Sequence, residues 1–119
     1  LDITKSIEIV YGLRNFIGNA NKFSKSKVFI NVKSDSNNTE IIIEDDGEGY
    51  PKDVLSKIGE PYIKSFKSST RSKSGLGLGI FIGKTLLEKN YANILCKNSK
   101  TRSGAEVSIK WKNKDLLSL

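Results

Sequence analysis

The chain has 119 residues, of which 37% are hydrophobic and two are proline, and it carries a formal net charge of +7. This length and composition predict one ordered domain covering residues 1–119, and they exclude a disordered chain. No apolar run reaches the ~18 residues that a membrane-spanning helix needs. The absence of histidine excludes histidine-based acid–base chemistry and histidine metal ligands. Because methionine is also absent, we expect the chain to be a piece of a longer protein.

Cysteine content and charge distribution limit the environment and the partners. The single cysteine, Cys96, excludes an internal disulfide and favours a reducing compartment. The positive charge permits nucleic-acid binding, but the lysines are spread along the chain and form no basic block. We therefore expect a cytoplasmic domain that contacts neither nucleic acid nor the membrane directly, and keep a basic nucleic-acid-binding module as the non-enzymatic alternative.

Residues 6–23 predict the first helix. Its apolar residues fall on one broad arc at 100° per residue: Ile9, Val10, Leu13, Phe16, Ile17, Ala20 and Phe23. Glu8, Asn15, Asn19 and Lys22 are predicted on the opposite side. A solvated helix face is one interpretation, but asparagine is a poor helix former. Its carbonyl oxygen suits a hard cation such as Mg²⁺, and a lysine one turn further on suits a phosphate.

Two strands and an acidic turn follow. Apolar residues at every second position over residues 27–33 predict one strand, and an apolar segment over residues 39–44 predicts a second. Together they predict a hairpin. The second strand continues into Asp45-Asp46-Gly47-Glu48-Gly49. A carboxylate only accepts hydrogen bonds, so one that faces a pocket would prefer adenine, with its exocyclic amine, over guanine. An ordinary acidic turn and a calcium loop are the alternatives; the calcium loop lacks an acidic residue at its last position.

The middle of the chain predicts a short helix over residues 51–58 and then a polar segment. Residues 59–74 have few apolar side chains, and this segment is either a solvated loop or a lid over a phosphate ligand. The possible phosphate contacts in it are Lys64, Lys67, Arg71 and Lys73. The glycines of the following stretch, Gly75, Gly77 and Gly79, let backbone N–H groups approach a ligand just before a helix, which predicts a phosphate cradle.

The remaining elements are a helix over residues 80–89, strands over residues 92–97 and 106–111, and a tail over residues 112–119 packed weakly through Leu116 and Leu117. The order of elements predicts an α+β fold, a two-layer sandwich with a mostly antiparallel sheet and helices on one face. It is not the alternating pattern of a Rossmann domain, and no Walker A sequence follows Gly75.

Four motifs resemble those of the GHKL (Bergerat-fold) ATP-binding superfamily in order and spacing. The first, which resembles the N box, runs from Asn15 to Phe23. The G1, G2 and terminal glycine boxes are similar to the segments at 45–49, 75–79 and 103–107. Hydrolysing members carry a glutamate general base where this chain has Asn15, and asparagine there is similar to sensor histidine kinases. The segments at 59–62 and 77–88 are most similar to the RegB/PrrB type of bacterial sensor kinase.

This resemblance implies roles for individual residues. Asn19 would ligate Mg²⁺, while Asn15 and Lys22 would act at the phosphates of ATP. Asp45 would accept from the adenine amine, in a pocket shaped by Gly47 and Gly49. The backbone of the glycine-rich segment would wrap the phosphates: Gly75, Leu76, Gly77, Leu78 and Gly79.

The resemblance also implies a function and partners. The domain would bind Mg²⁺-ATP and deliver the γ-phosphate to a histidine on a separate dimerisation domain, and a response regulator would then be the next partner. The isolated domain would not phosphorylate itself. The parent would be a sensor kinase of the inner membrane. A GHKL ATPase or a serine kinase is the enzymatic alternative.

Overall fold

A computed structural model describes residues 3–57 and 76–118 of the chain. The segment expected to form a lid, residues 59–74, lies outside the described residues. The elements run in the order α1 (Ile3–Phe23), β1 (Val28–Ser34), β2 (Asn38–Asp45), α2 (Lys52–Lys57), α3 (Leu76–Lys89), β3 (Asn93–Asn98), β4 (Ala105–Lys112) and α4 (Asn113–Leu117). The α+β fold expected from the sequence is confirmed.

The described strands form one antiparallel sheet in the order β1-β2-β4-β3. The apolar β2 is therefore central, as its sequence predicts. Its hairpin with β1 is closed by Asp35, whose carboxylate accepts the backbone N–H groups of Asn37 and Asn38, both at 2.8 Å. Aspartate side chains stabilise turns in this way.

The core forms between the helices and one face of the sheet. Phe16 of α1, Leu87 of α3 and Ile43 and Ile109 of the sheet are almost completely buried. Trp111 is also buried, and its indole Nε1 donates to the backbone oxygen of Asn90 at 3.0 Å. Because the only polar atom of this ring has a partner, its burial costs little.

Glycines set the contact between α1 and α3. A Cβ on Gly12 would lie 2.7 Å from Cγ of Leu87, and a Cβ on Gly83 would lie 2.7 Å from Cε2 of Phe16. The two helices therefore approach more closely than helices with side chains at these positions could. At one end of this contact, Glu8 accepts hydrogen bonds from Lys89 at 2.6 Å and Asn90 at 3.1 Å.

Because of this contact, the buried face of α1 differs from the face that the sequence predicts. Its buried residues are Gly12, Phe16 and Ala20, while Val10, predicted on the inward arc, is 55% exposed. The polar stripe that contains Glu8 and Asn19 borders α3 and does not lie opposite the core. The prediction was wrong because it placed the centre of the apolar arc by hydrophobicity and gave Gly12 no weight.

Two other expectations need correction. Helix α3 begins at Leu76 and not at residue 80, so Gly77 and Gly79 lie within its first turn and not in a preceding loop. Residues 113–117 are helical, and Leu117 is 87% exposed, so only Leu116 of the tail packs on the core. Within residues 3–57 and 76–118, no helix is both long and apolar enough to cross a membrane.

Candidate functional site

A cavity of about 510 Å³ opens beside the end of β2. Aliphatic side chains, three aromatic rings and several polar groups line it. They are Phe16, Ala20, Phe23, Ile43, Val54 and Val107, with Tyr50, and with Asn19, Lys25, Asp45, Glu48 and Asp53 as the polar members. This volume and an apolar lining with a few polar groups are typical of small-molecule sites.

Asp45 is the buried acid of this cavity. It is 3% exposed, and its Oδ1 accepts the backbone N–H of Gly47 at 2.9 Å and that of Ala105 at 3.3 Å. Both hydrogen bonds use the same oxygen, so Oδ2 is the atom left to accept an N–H from a ligand. Asp45 is the carboxylate that the sequence singles out in the acidic turn, and it lines this cavity.

Asp46 holds the neighbouring chain. Its Oδ1 accepts the backbone N–H groups of Lys25, Ser26 and Lys27 at 2.9–3.1 Å, and its Oδ2 accepts the hydroxyl of Ser26 at 2.7 Å. These hydrogen bonds, those from Ser26 foremost, hold the pKa of the Asp46 carboxyl well below its usual range. Asp46 therefore fixes the connection between α1 and β1, which contributes Lys25 to the cavity wall.

The part of the cavity lining formed by Gly49 and Tyr50 depends on a pair of amide contacts. Asn98, at the end of β3, accepts the backbone N–H of Tyr50 through Oδ1 at 2.7 Å and donates from Nδ2 to the backbone oxygen of Tyr50 at 3.2 Å. Gly49 has φ of +82°, and a Cβ there would lie 2.7 Å from Oδ1 of Asn98. Glycine is therefore needed at 49 both for the backbone angle and for room.

Tyr50, which lines the cavity, is buried, and its side chain pairs with the partly buried Cys96. Their side chains share a hydrogen bond, and burial raises the pKa of the Tyr50 hydroxyl. Burial also raises the pKa of the Cys96 thiol to about 11. Both groups are therefore neutral at physiological pH, and the pair packs the wall without adding charge to it.

Asn19 connects the cavity to the first turn of α3. A Cβ on Gly79 would lie 3.0–3.1 Å from both Nδ2 and Oδ1 of Asn19. Nδ2 of Asn19 is buried without a hydrogen-bond partner among the described residues. An unpaired buried amide is costly and calls for an explanation such as a ligand or an ion that binds beside it. It lies next to a helix N-terminus, where N–H groups without intrahelical partners favour anions.

The other predicted residues lie in different places. Asn15 donates from Nδ2 to the backbone oxygen of Tyr11 at 2.8 Å, and neither Asn15 nor Lys22 lines the cavity. Nζ of Lys22 lies 5.8 Å from the centre of the Phe23 ring. Gly47 shapes the turn, since a Cβ there would lie 2.0 Å from the backbone oxygen of Phe23. The predictions at Lys64, Arg71 and Gly75 lie outside the described residues.

Sequence reasoning gave no individual role to three contributors to this site: Asp46, Asn98 and Ala105. Ala105 lies beside Asp45 because β4 pairs with β2, and this pairing is not visible in the chain order. Side chains alternate between the two faces of a strand, and Asp45 is separated from Ile43 and Ile41 by steps of two residues. The sequence therefore indicates that Asp45 lies on the core face of the sheet. No comparable local signal marks Asn98.

The profile of the family described as histidine kinase-, DNA gyrase B- and HSP90-like ATPase matches residues 4–115. The chain belongs to this family. It is 35% identical to the sensor histidine kinase RegB of Cereibacter sphaeroides over 92% of its own length and 27% of that protein. It is 34% identical to the sensor protein SrrB of Staphylococcus aureus over 72% of its own length and 15% of that protein.

Solved structures agree with this assignment. The mycobacterial sensor histidine kinase MprB is 25% identical and superposes with a TM-score of 0.66 over 86% of this chain and 70% of that one. Full-length ShkA, solved in complex with AMPPNP, has the same fold, with a TM-score of 0.63 over 87% of this chain and 21% of that one. The domain is therefore of the type shared by histidine kinases, DNA gyrase B and HSP90, and it spans about a quarter of the RegB length.

Proposed function

We propose that the cavity beside β2 binds the adenine of ATP, with the exocyclic amine donating to Oδ2 of Asp45. The observation that carries this proposal is the geometry of Asp45, which is buried in an apolar cavity and held through Oδ1 alone. A fixed acceptor in a dry site discriminates strongly, because a base with a carbonyl in place of the amine leaves the carboxylate unpaired. The Phe23 ring, which also lines the cavity, offers a face for base stacking.

The phosphates would then lie at the first turn of α3. The backbone N–H groups of Gly77, Leu78 and Gly79 belong to that turn, and the contact between Asn19 and Gly79 joins it to the cavity. Phosphate contacts by Asn15, Lys22, Gly75 and Leu76 remain predictions from the motif resemblance, and those by Lys64 and Arg71 remain predictions from the polar segment that contains them.

Asn19 fits a magnesium ion that is held mainly by a nucleotide. Among the described residues, no cluster of three acidic, cysteine or histidine side chains could hold a metal by itself. Mg²⁺ typically takes one or two protein oxygens, with phosphates and waters completing its shell. The side-chain amide of Asn19 carries a carbonyl oxygen as well as the unpaired Nδ2, and this oxygen is the atom that would hold the ion if the amide group were flipped. When bound, the ion supplies charge neutralisation at the phosphates.

The reaction served by this domain is transfer of the γ-phosphate to a histidine. The chain contains no histidine, so the acceptor must lie elsewhere, and sensor kinase relatives imply a dimerisation and phosphoacceptor domain and a response regulator. The domain's part is positioning of the nucleotide and electrostatic stabilisation. Asn15 cannot act as a general base through its amide, which favours phosphotransfer over hydrolysis. We place the domain in the cytoplasm as part of an inner-membrane sensor kinase.

The test is phosphotransfer between separate domains. The domain is mixed with the dimerisation domain of its own parent kinase and with Mg²⁺ and γ-labelled ATP. We expect label on the histidine of the partner and none on this domain. Rapid ATP hydrolysis by the domain alone, with no label on the partner, would assign it to the hydrolysing members of the family instead.

A further inference from the structure

Asp45 is held at a point where the pairing of β2 and β4 ends. The ladder runs from Asn38 opposite Lys112 to Glu44 opposite Glu106, and the next opposed residues would be Asp45 and Ala105. The N–H of Ala105 donates to the Asp45 side chain at 3.3 Å. A backbone donor at the start of β4 therefore orients the carboxylate that faces the cavity.

Gly104 permits this approach through its lack of a side chain. A Cβ built on it would lie 2.1 Å from the backbone oxygen of Asp45, 2.2 Å from Oδ1 and 2.5 Å from the backbone carbon. The φ of Gly104 is not positive, so this glycine is required for room and not for backbone freedom. Two of the three close atoms belong to the backbone, so a change of side-chain rotamer alone cannot relieve the overlap.

The turn that carries Gly104 is itself anchored. Ser99 donates from its backbone N–H to the oxygen of Gly104 at 2.7 Å, and its hydroxyl donates to Glu44 at 2.7 Å. The guanidinium of Arg102 lies 3.5 Å from Glu44 and 3.6 Å from the centre of the Phe29 ring. Because Glu44 precedes Asp45 in β2, the turn is tied to the strand end that it contacts. A side chain at 104 would therefore push on Asp45 before it moved the turn.

We propose that Gly104 is a positioning residue that sets the adenine selectivity of the site by fixing the carboxylate of Asp45. It touches no ligand. It lets Oδ1 accept from Ala105, and this hydrogen bond aims Oδ2 at the position of the exocyclic amine. The inference rests on the proposed binding of ATP.

The test compares ATP with inosine triphosphate, which carries a carbonyl in place of the amine. Binding of both to wild type and to Gly104→Ala is measured by calorimetry in Mg²⁺. Wild type should prefer ATP by ~10-fold or more, because the inosine base leaves the buried acceptor unpaired. In Gly104→Ala, ATP should bind ~10-fold more weakly and inosine triphosphate nearly as before, so that the preference is largely lost.

Gly18→Ala is the matched control. Gly18 lies in α1 with no atom of another element within 4 Å of the position that an alanine Cβ would take, so this variant should keep both affinities and their ratio. A folded Gly104→Ala that retained the wild-type preference would overturn the inference but leave ATP binding intact. No binding of ATP to folded wild type would instead overturn the proposed function.

If Gly104→Ala does not fold, the wild-type protein decides the question by NMR. The amide protons of Gly47 and Ala105 both donate to Oδ1 of Asp45. Their resonances should shift when ATP binds and shift much less when inosine triphosphate binds, since only ATP donates to the same carboxylate. Equal responses to the two nucleotides would overturn the inference.

Discussion

The carboxylates of Asp45 and Asp46, adjacent in the sequence, hold different parts of the molecule. Asp45 accepts from Gly47 and Ala105 on the cavity side, whereas Asp46 accepts from three consecutive backbone N–H groups between α1 and β1. Alternation along a strand end sends neighbouring side chains to opposite faces. One residue type at two successive positions therefore faces the cavity at one position and fixes a chain connection at the other.

Asp46 should contribute to stability in a pH-dependent way. Its pKa is lowered from an ordinary value of 3.8 by hydrogen bonds to the ionised form, so the unfolded state binds the proton more readily. The contribution is present above pH 3.8 and is lost as the pH falls through the folded-state pKa. Urea denaturation between pH 2.5 and 7 should show Asp46→Ala less stable than wild type at neutral pH, with the difference shrinking at acid pH.

Asp35 gives the comparison for this experiment. Its pKa is also lowered, by the backbone N–H groups of Asn38 and Asn37 in the hairpin turn. Asp35→Ala should therefore reduce the loss of folding stability at acid pH without changing the cavity. Asp46→Ala should have the same effect on stability and should also weaken nucleotide binding, because Lys25, which lines the cavity, loses its hydrogen bond to Asp46. A difference between wild type and Asp46→Ala that stayed constant with pH would contradict the assigned role of its charge.

The α1–α3 contact should tolerate no methyl group at Gly12. An alanine there would meet Cγ of buried Leu87 at 2.7 Å, and overpacking of a core typically costs ~1–3 kcal/mol. The gain in helix propensity from glycine to alanine offsets only ~1 kcal/mol of this. Urea denaturation should therefore show Gly12→Ala destabilised. Gly18→Ala, which has free space, should be stabilised; equal stability of the two variants would contradict this packing.

Much of the fold could be predicted from local patterns, because alternation marks β1 and β4 and an unbroken apolar run marks the central β2. The orientation of α1 could not, since its closest contact is made by Gly12, which a hydrophobicity pattern ignores. The start of α3 was predicted four residues late because glycine is a poor helix former, although the first turn at Gly77 and Gly79 is helical.

The residues of the candidate site also differ in whether the sequence could predict them. Asp45 could be predicted from the motif and from its position two residues after Ile43, which puts both side chains on the same face of β2, because both signals are local. Its partners Ala105 and Gly104 lie about 60 positions away in the sequence, and only the pairing of β2 with β4 brings them together. Asn19 was predicted as a polar residue of functional interest, but its place beside Gly79 depends on the close approach of two helices.

Cys96 should be unreactive in the folded protein. Burial raises its pKa to about 11 from 9.0, so the thiolate that reacts with thiol reagents is scarce at pH 8. A colorimetric thiol assay should show slow modification of native protein and rapid modification in urea. The Cys96→Ser variant, which cannot react, gives the baseline. Rapid reaction of the native protein at pH 8 would contradict the raised pKa of Cys96 and its pairing with Tyr50.

The adenine contact is the central claim, and calorimetry of wild type beside Asp45→Asn tests it most directly. An asparagine keeps an oxygen for Gly47 and Ala105 but turns an N–H₂ donor toward the donor amine of adenine. With Mg²⁺ present, folded wild type should bind one ATP per chain, and Asp45→Asn should bind it ~10–100-fold more weakly. Equal affinity of the two folded proteins for ATP, or no binding by wild type, would contradict the account.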